Sequence, residues 1–264
     1  MHCLLLCAGY ATRLYPLTEN FPKPLLPVQG KSVLDWILSD VDTIPGIEQY
    51  VVISNHKFYD HFVSWKESSS LSHPITILDD GSTSNENRLG AVKDILFAID
   101  QLDLKEDLLV LAGDNLLDFS FSGFVSFFRE KQGTCIMRHY EPSIPRLQRT
   151  GVATIDDSDK VILMEEKPKE PKSYWAVPPF YVYKKEDIPK IKQAIAAGCN
   201  TDAPGSFISW LCNQTSVYAY PMPGKRWDIG NLDDYEQVKT EYKGPKKQED
   251  SKPVCPAFYN EFVP

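Results

Sequence analysis

Residues 4–28 run LLLCAGYATRLYPLTENFPKPLLPV and are the most informative segment of the chain. An apolar run, typical of a strand buried on both faces, passes directly into a turn of small residues at 8–13. Such a junction lets backbone N–H groups approach a phosphate chain, and Arg13 and Lys23 can add positive charge beside it. The turn alone would fit a nucleotide-binding loop and an ordinary solvated turn about equally. Lys23 favours the first interpretation, because a cation between two prolines in an apolar stretch is a costly choice for solubility alone.

The rest of the first half alternates short apolar runs with stretches of helical spacing. Continuous apolar runs predict buried strands, and apolar residues three and four positions apart predict amphipathic helices. This alternation is typical of right-handed βαβ units in a parallel sheet with helices on both faces. The predicted strands are 3–7, 50–54, 75–78 and 108–112, and the predicted helices are 32–40, 56–67, 89–100 and 121–131.

The second half has strand-like runs broken by turns that contain Pro and Gly, which predicts a smaller, antiparallel portion. We therefore expect one domain at 1–242, made of a first half at 1–131 and a second half at 132–242, and then a polar linker and tail at 243–264. The predicted strands of the second half are 134–139, 151–155, 161–164, 177–183 and 217–220, and its predicted helices are 186–197, 206–212 and 232–242.

The composition excludes several classes of function. With 28 Lys and Arg against 36 Asp and Glu, the net charge of −8 disfavours binding to nucleic acid or to an anionic membrane surface. The sequence contains no apolar run near the roughly 20 residues that span a bilayer. Its six cysteines are scattered and form no CxxC pair, so we expect a reducing, cytoplasmic location rather than a disulfide scaffold.

The segment 8–28 resembles the signature of the sugar-1-phosphate nucleotidylyltransferases, the pyrophosphorylases that make nucleotide sugars. The family pattern runs roughly (A/G)GxGTRLxPLT followed by PKPLLPV, and the chain has AGYATRLYPLT at 8–18 and PKPLLPV at 22–28. One departure is Ala11, where the family usually has its second glycine. Alanine keeps the N–H but restricts φ, so we expect a slightly altered loop rather than a broken one.

Further matches follow in the order of the family. They are RLGA at 88–91, AGDN at 112–115, the glycine at 151, EEKP at 165–168 and WDIG at 227–230. In the family, these positions hold a glycine pressed against the nucleobase, a metal-binding aspartate, a sugar-binding glycine, a substrate-binding strand and a second metal-binding aspartate. Each match is weak alone, since an aspartate after a strand is more often a helix cap, but their joint occurrence in order is specific.

The resemblance implies the GT-A-like nucleotidyltransferase fold, which is an α/β fold with a Rossmann-like, mostly parallel sheet flanked by helices. It also implies a set of site residues. The implied catalytic cations are Arg13, Lys23 and Lys167, and the implied Mg²⁺ ligands are Asp114 and Asp228. The implied nucleotide-binding residues are Ala8, Gly9, Tyr10, Ala11, Thr12, Gly81, Arg88 and Gly90. The implied substrate-binding residues are Gly151, Glu166, Lys167 and Tyr181.

The implied reaction joins a nucleoside triphosphate and a sugar 1-phosphate to give a nucleotide sugar and pyrophosphate. The acceptor phosphate is already ionised at neutral pH, so no general base is needed, and charge neutralisation is most of the catalytic problem. Arg13 is then expected at the departing pyrophosphate, Lys23 near the reacting centre and Lys167 at the acceptor phosphate. Mg²⁺, the implied cofactor, usually takes one or two protein carboxylates together with phosphates and water.

Two alternatives remain open, and the sequence names neither the nucleobase nor the sugar. Cytidylyltransferases for phosphocholine or phosphonates resemble the same family, and Trp175, Phe180 and Tyr181 could form the aromatic box that a zwitterionic head group needs. The second alternative is a non-catalytic regulator that binds nucleotide sugars, although such a protein would have little use for the full charged set. A further hypothesis is a homo-oligomer, in which aromatic residues of the tail dock across a subunit interface; these are Phe258, Tyr259 and Phe262.

Overall fold

The computed structural model describes residues 1–246, which form an α/β fold with fourteen strands and eight α-helices. The strands are β1 His2–Leu6, β2 Pro27–Val28, β3 Lys31–Ser32, β4 Gln49–Ser54, β5 Ile75–Asp79, β6 Leu108–Ala112, β7 Asn115–Leu117, β8 Thr134–Tyr140, β9 Gly151–Ile155, β10 Val161–Glu166, β11 Trp175–Val177, β12 Phe180–Tyr183, β13 Val217–Pro221 and β14 Arg226–Asp228. The helices are α1 Val33–Val41, α2 Tyr59–Ser68, α3 Ala91–Leu102, α4 Ser122–Lys131, α5 Ile144–Leu147, α6 Lys190–Ala196, α7 Gly205–Leu211 and α8 Leu232–Glu241.

Ten strands form one sheet that continues through both halves of the chain. The part from the first half is parallel, because β1 lies between β6 and β4, and β5 follows at the edge. The part from the second half is mainly antiparallel, since β12 pairs with both β6 and β8, and β11, β9 and β10 extend it. The strand order is β10-β9-β11-β8-β12-β6-β1-β4-β5, and β13 is added in parallel to β8. The predicted sheet, parallel first and antiparallel later, is confirmed.

Apolar side chains cover both faces of this sheet. Along β1, Cys3 and Leu5 join one buried cluster, whereas Leu4 joins the other, as the two-residue period of a strand requires. Helices α1, α2, α4 and α8 contribute to the first cluster, and α3, α6 and α7 contribute to the second. Burial on both faces explains why the central strands are continuous apolar runs rather than alternating ones.

Several predicted boundaries differ from the structure. The single strand predicted at 177–183 is two strands, because Pro178 and Pro179 have no N–H for the ladder and separate β11 from β12. The helix predicted at 56–67 begins as a 3₁₀ helix, His56–Phe58, before α2. The sequence reasoning missed the short pairs β2–β3 and β7–β14, which have two or three residues in each strand.

The first residues of the predicted linker lie against the domain. Tyr242, the last residue of the predicted domain, is buried, and the backbone N–H of Lys246 in the predicted linker donates to the Asp118 carbonyl at 2.8 Å. Residues 247–264, with the aromatic residues of the predicted tail, lie outside the described residues. Within 1–246, none of the helices is both long enough and apolar enough to cross a membrane.

Candidate active site

The loop after β1 is held by hydrogen bonds to its carbonyl groups. Asn55 Nδ2 donates to the Ala8 carbonyl at 3.0 Å, and Thr18 Oγ1 donates to the Ala11 carbonyl at 2.8 Å. Ala11 has φ 47° and ψ 40°, which lie in the left-handed region that favours glycine. The loop therefore keeps a glycine-like backbone at the position where the sequence departs from the family pattern.

The side chains of this loop are partly buried and partly exposed. Tyr10 is buried, and its hydroxyl donates to the Ser82 carbonyl at 2.9 Å, so its ring ties the loop to the segment after β5. Gly9, Thr12 and Arg13 are exposed. Within residues 1–246, Arg13 has no ion-pair or hydrogen-bond partner. Its guanidinium group is therefore available to an anionic ligand.

Lys23 and Asp114 form an ion pair, with Nζ 2.7 Å from Oδ2. The Lys23 side chain is only 9% exposed, and Asp114 follows β6 at the carboxyl end of the parallel strands. Burial acts to raise the pKa of Asp114, but the charges of Lys23 and Arg226 and the amide of Asn115 hold that pKa below its usual range. Asp114 is therefore ionised at neutral pH.

A two-stranded ribbon brings Asp228 beside Asp114. Strands β7 and β14 are antiparallel, and Asn115 lies opposite Asp228. Arg226 Nη1 donates to Asn115 Oδ1 at 2.6 Å and lies 3.4 Å from Asp228 Oδ2. Asn115 Nδ2 donates in turn to Asp114 Oδ1 at 2.5 Å. The two predicted metal ligands therefore lie at the same end of the ribbon and are linked indirectly, through Asn115 and Arg226.

These two carboxylates fit a magnesium ion. Mg²⁺ is usually bound by one or two carboxylates, with phosphates and water completing its shell. Within the described part of the chain, no group of three or more His, Cys, Asp or Glu could hold a metal. A cation at Asp114 and Asp228 would therefore need phosphate and water ligands, which a metal–nucleotide complex brings with it.

The predicted nucleobase segment lies after β5. Gly81 has φ +76°, its N–H donates to Asp79 Oδ1 at 2.8 Å, and a Cβ there would have no atom within 4 Å. Arg88 Nη2 pairs with Asp202 Oδ1 at 2.7 Å, in the loop that precedes α7. The ion pair links the first half of the chain to the second.

Gly90 lies against the same loop. It has φ +90°, and an added Cβ would lie 2.5 Å from the Thr201 carbonyl oxygen. The Val92 N–H donates to that carbonyl at 3.0 Å. The close approach that requires glycine is therefore to the backbone of the second half, and contact between Gly90 and a nucleobase stays a prediction.

Two carboxyl groups near this segment were not identified from the sequence as site residues: Asp94, which is buried, and Asp80, which is half-buried. Asp94, on α3, is 6% exposed, and burial followed by the charge of Asp80 raises the pKa of Asp94 to about 7. Burial also raises the pKa of Asp80. One oxygen of each group is buried and has no hydrogen-bond partner among residues 1–246. At neutral pH, Asp94 is therefore divided between its protonated and ionised forms.

The predicted acceptor side centres on Glu166. Its carboxylate lies against two glycines, since a Cβ at Gly205 would clash with Oε2 and a Cβ at Gly151 would lie 3.3 Å from the same oxygen. Burial raises the pKa of Glu166, and the adjacent charge of Lys167 acts against this rise. Lys167 is exposed, has φ +51°, and donates its backbone N–H to the Thr150 carbonyl at 3.0 Å. Gly151, Glu166 and Lys167 thus lie together.

The three aromatic residues considered for a head-group box do not form one. Phe180 is fully buried, and Tyr181 is 2% exposed and stacks on Tyr183 with 5.8 Å between ring centroids. Trp175 is half-buried, with the guanidinium carbon of Arg138 4.4 Å from its ring centroid. The aromatic residues therefore pack in the fold or against a cation of the chain, and substrate contact by Tyr181 stays a prediction.

Four residues that shape the site were missed by sequence reasoning: Asn115, Asp202, Gly205 and Arg226. Asn115 and Arg226 each lie within two residues of a predicted metal ligand, and this proximity is the one signal that could have drawn attention to them. Asp202 and Gly205 have no such signal, because their partners Arg88 and Glu166 are distant in sequence.

The carboxyl ends of β1 and β6 thus bring together an exposed loop, the cations Arg13 and Lys23 and the carboxylate Asp114, and the β7–β14 ribbon adds Asp228. The carboxyl ends of parallel strands are where α/β folds bind phosphorylated ligands. This arrangement is typical of α/β proteins that bind phosphorylated ligands. The chain belongs to the nucleotidyl transferase family, whose model matches residues 2–244.

The chain is similar in sequence to named proteins and similar in fold to a solved structure. The chain is 30% identical over 244 residues to a Sulfolobus acidocaldarius protein named mannose-1-phosphate guanyltransferase, with 90% of this chain and 62% of that protein covered. It is 29% identical over 255 residues to the glucose-1-phosphate adenylyltransferase of Fervidobacterium nodosum, with 92% and 61% covered. The chain therefore spans less than two thirds of the length of these relatives. A crystal structure of UDP-glucose pyrophosphorylase complexed with UDP-glucose shares the fold, with a TM-score of 0.77 at 17% identity over 91% of this chain and 97% of that one.

Proposed function

We propose that this protein transfers a nucleotidyl group from a nucleoside triphosphate to a sugar 1-phosphate, giving a nucleotide sugar and pyrophosphate. The observation that carries the proposal is the grouping of Lys23, Asp114 and Asp228 near the carboxyl end of β6. The loop that bears Arg13 follows the neighbouring strand β1. Family membership supports the type of reaction. The relatives named for sugar-1-phosphate substrates support the choice of acceptor.

In the proposed reaction, an acceptor phosphate oxygen bonds to the α-phosphorus, and the bond to the oxygen that bridges to the β-phosphate breaks. Lys23 stabilises charge near the reacting centre from a partly dehydrated position, where its electrostatic effect is larger than in water. Arg13 binds the departing pyrophosphate. Mg²⁺, when bound by Asp114 and Asp228, supplies further charge neutralisation.

The acceptor binds on the other side of the cleft in this proposal. Lys167 is exposed and holds the acceptor phosphate, and the neighbouring carboxyl of Glu166 hydrogen-bonds sugar hydroxyls. Gly151 and Gly205 lack side chains that would displace this carboxyl, which leaves it free to face a ligand.

The test is pyrophosphate release, screened over four nucleoside triphosphates and a panel of sugar 1-phosphates that also includes phosphocholine. We expect turnover with at least one sugar 1-phosphate, its loss with EDTA and its return with Mg²⁺. Asp114→Asn and Asp228→Asn should lower kcat by orders of magnitude, because each removes a ligand of the neutralising ion. Asp100→Asn, on the exposed side of α3, is the matched control and should keep kcat.

Other results of this screen would overturn the proposal in different ways. Turnover with phosphocholine alone would favour the cytidylyltransferase alternative. Tight binding of nucleotide sugars without turnover would favour the regulatory alternative. Near-normal kcat in both aspartate variants would remove these residues from the metal site.

We also propose a cytoplasmic location, supported by the five described cysteines, all of which are free thiols. Cell fractionation would test it, and recovery from an oxidising compartment would contradict it. Association of copies of the chain is a separate hypothesis that depends on the tail. It predicts that deletion of residues 245–264 lowers the number of associated copies, measured as the molecular mass of the particle in solution.

A further inference from the structure

The candidate cation site carries its own positive charges. Lys23 Nζ lies 2.7 Å from Asp114 Oδ2, and Arg226 Nη1 lies 3.4 Å from Asp228 Oδ2. Two cations thus balance two carboxylates at this point of the fold. Asp114 Oδ1 accepts a hydrogen bond from Asn115 Nδ2 at 2.5 Å. Both oxygens of Asp114 are therefore engaged by donors from the chain itself.

The contact between Lys23 and Asp114 is also partly removed from water. The Lys23 side chain is 9% exposed, and a proline on each side restricts its backbone. An ion pair in such a position interacts more strongly than one in bulk water. A free divalent cation that approached Asp114 would have to displace the ammonium group, which would then have no carboxylate partner.

We propose that Lys23 occupies the divalent-cation position at Asp114 in the nucleotide-free protein, so that the cation binds there only together with a nucleoside triphosphate. This inference rests on the proposed function, in which the site binds both a divalent cation and a nucleoside triphosphate. The triphosphate gives the ammonium group a new anionic partner, and its move from carboxylate to phosphate frees Asp114 Oδ2 for the cation. Cation and nucleotide then each raise the affinity for the other by the same factor.

The test is Mn²⁺ binding in the absence of nucleotide, followed by electron paramagnetic resonance of the free ion. Lys23→Met removes the charge and keeps a side chain of similar length. We expect this variant to bind Mn²⁺ at least about tenfold more tightly than the wild type, because a neighbouring cation changes the affinity of a carboxylate for a proton by one to three powers of ten. Adding Asp114→Asn to Lys23→Met should abolish the gain.

A matched control is Lys190→Met. Lys190 Nζ lies 2.5 Å from Asp187 Oδ1. This pair follows β12, which is antiparallel to β6, and therefore lies at the opposite end of these strands from Asp114. Its removal also frees a carboxylate, so Mn²⁺ binding like that of the wild type would show that the effect belongs to the candidate site. If Lys23→Met is less stable, thermal unfolding gives a second measurement, since Mn²⁺ should raise its Tm more than that of the wild type.

Equal Mn²⁺ affinity in the wild type and Lys23→Met would overturn the inference. Tight binding of Mn²⁺ by the wild type without nucleotide, lost in Asp114→Asn, would overturn it too. Neither measurement involves turnover. A protein that showed the Mn²⁺ effect but released no pyrophosphate would contradict the proposed function and leave the competition at Asp114 intact.

Discussion

Ala11 shows at the scale of one residue how the chain departs from its family pattern without losing the loop. Its left-handed backbone, φ 47° and ψ 40°, costs a residue with a Cβ about 1–2 kcal/mol, and glycine avoids this cost. Glycine also loses about 0.4–1 kcal/mol more through the entropy of the unfolded chain. Ala11→Gly should therefore leave the free energy of unfolding unchanged or raise it by up to about 1.5 kcal/mol, as measured by denaturant titration.

The control for this prediction is Ala196→Gly, at an exposed position in α6. An ordinary helical alanine gains nothing from added backbone freedom, so this variant should lose up to about 1 kcal/mol. Equal losses in the two variants would mean that Ala11 is not strained.

Asp94 gives a prediction about pH. Its pKa is raised from an ordinary 3.8 to about 7, first by burial and then by Asp80. Between about pH 4 and 7 the folded protein thus binds one more proton than the unfolded chain, so stability falls as pH rises through this window. Asp94→Asn cannot lose a proton, and it should therefore be more stable than the wild type at pH 8, with a weaker pH dependence of the free energy of unfolding.

The control is Asp100→Asn on the same helix, where the side chain is 48% exposed and 2.8 Å from Lys192. Denaturant titrations at pH 5 and pH 8 should give this variant the same change in stability as the wild type. If Asp94→Asn also retained the full change, the pH dependence would come from other groups.

At the scale of elements, Gly90 fixes how α3 meets the loop before α7. Gly90→Ala should cost about 2–4 kcal/mol, because the new methyl group meets the backbone of Thr201 and the residue keeps a positive φ. Gly81→Ala has a positive φ but open space around it, so it should cost only the backbone penalty less the gain in unfolded-chain entropy, up to about 1.5 kcal/mol in all. Denaturant titration of both variants checks the difference, and equal losses would show that the loop simply moves aside.

The elements also show how far sequence reasoning reaches. Strand β6 was predicted with its observed bounds, because residues 108–112 form a continuous apolar run. Such a run is typical of a strand buried on both faces, and β6 is such a strand. The ribbon β7–β14 could not be predicted, because its short strands lie more than 100 residues apart and have no period. The family pattern supplied Asp114 and Asp228, but only the pairing of these strands places the two residues at the same end of the ribbon.

At the scale of the whole molecule, the two lysines test the division of the cleft into nucleotide and acceptor sides. Lys167→Ala should mainly raise the KM for the sugar phosphate, because in the proposed function it removes the point charge that holds the acceptor phosphate. Lys23→Ala should weaken nucleotide binding and lower kcat, since charge redistributes at the α-phosphorus during transfer. Steady-state kinetics and calorimetry with nucleotide separate the two effects, and the exposed Lys169→Ala serves as control.

A loss of nucleotide binding in Lys167→Ala, with an unchanged KM for the acceptor, would place the EEKP segment on the wrong side. The sequence alone could assign these roles only by analogy. The structure adds that Lys23 is buried in an ion pair and that Lys167 is exposed, a contrast that residue type cannot reveal.

Strand β12 also limits how this protein can be divided or recombined. It belongs to the second half of the sequence, yet it lies between β6 and β8 and pairs with Leu108 to Leu111 along the length of β6. A fragment that ended at residue 131 would expose that apolar strand as an open sheet edge, which favours aggregation. The two halves are therefore not independent modules, and a chimera with a related protein must carry β12 together with its partners if it is to fold.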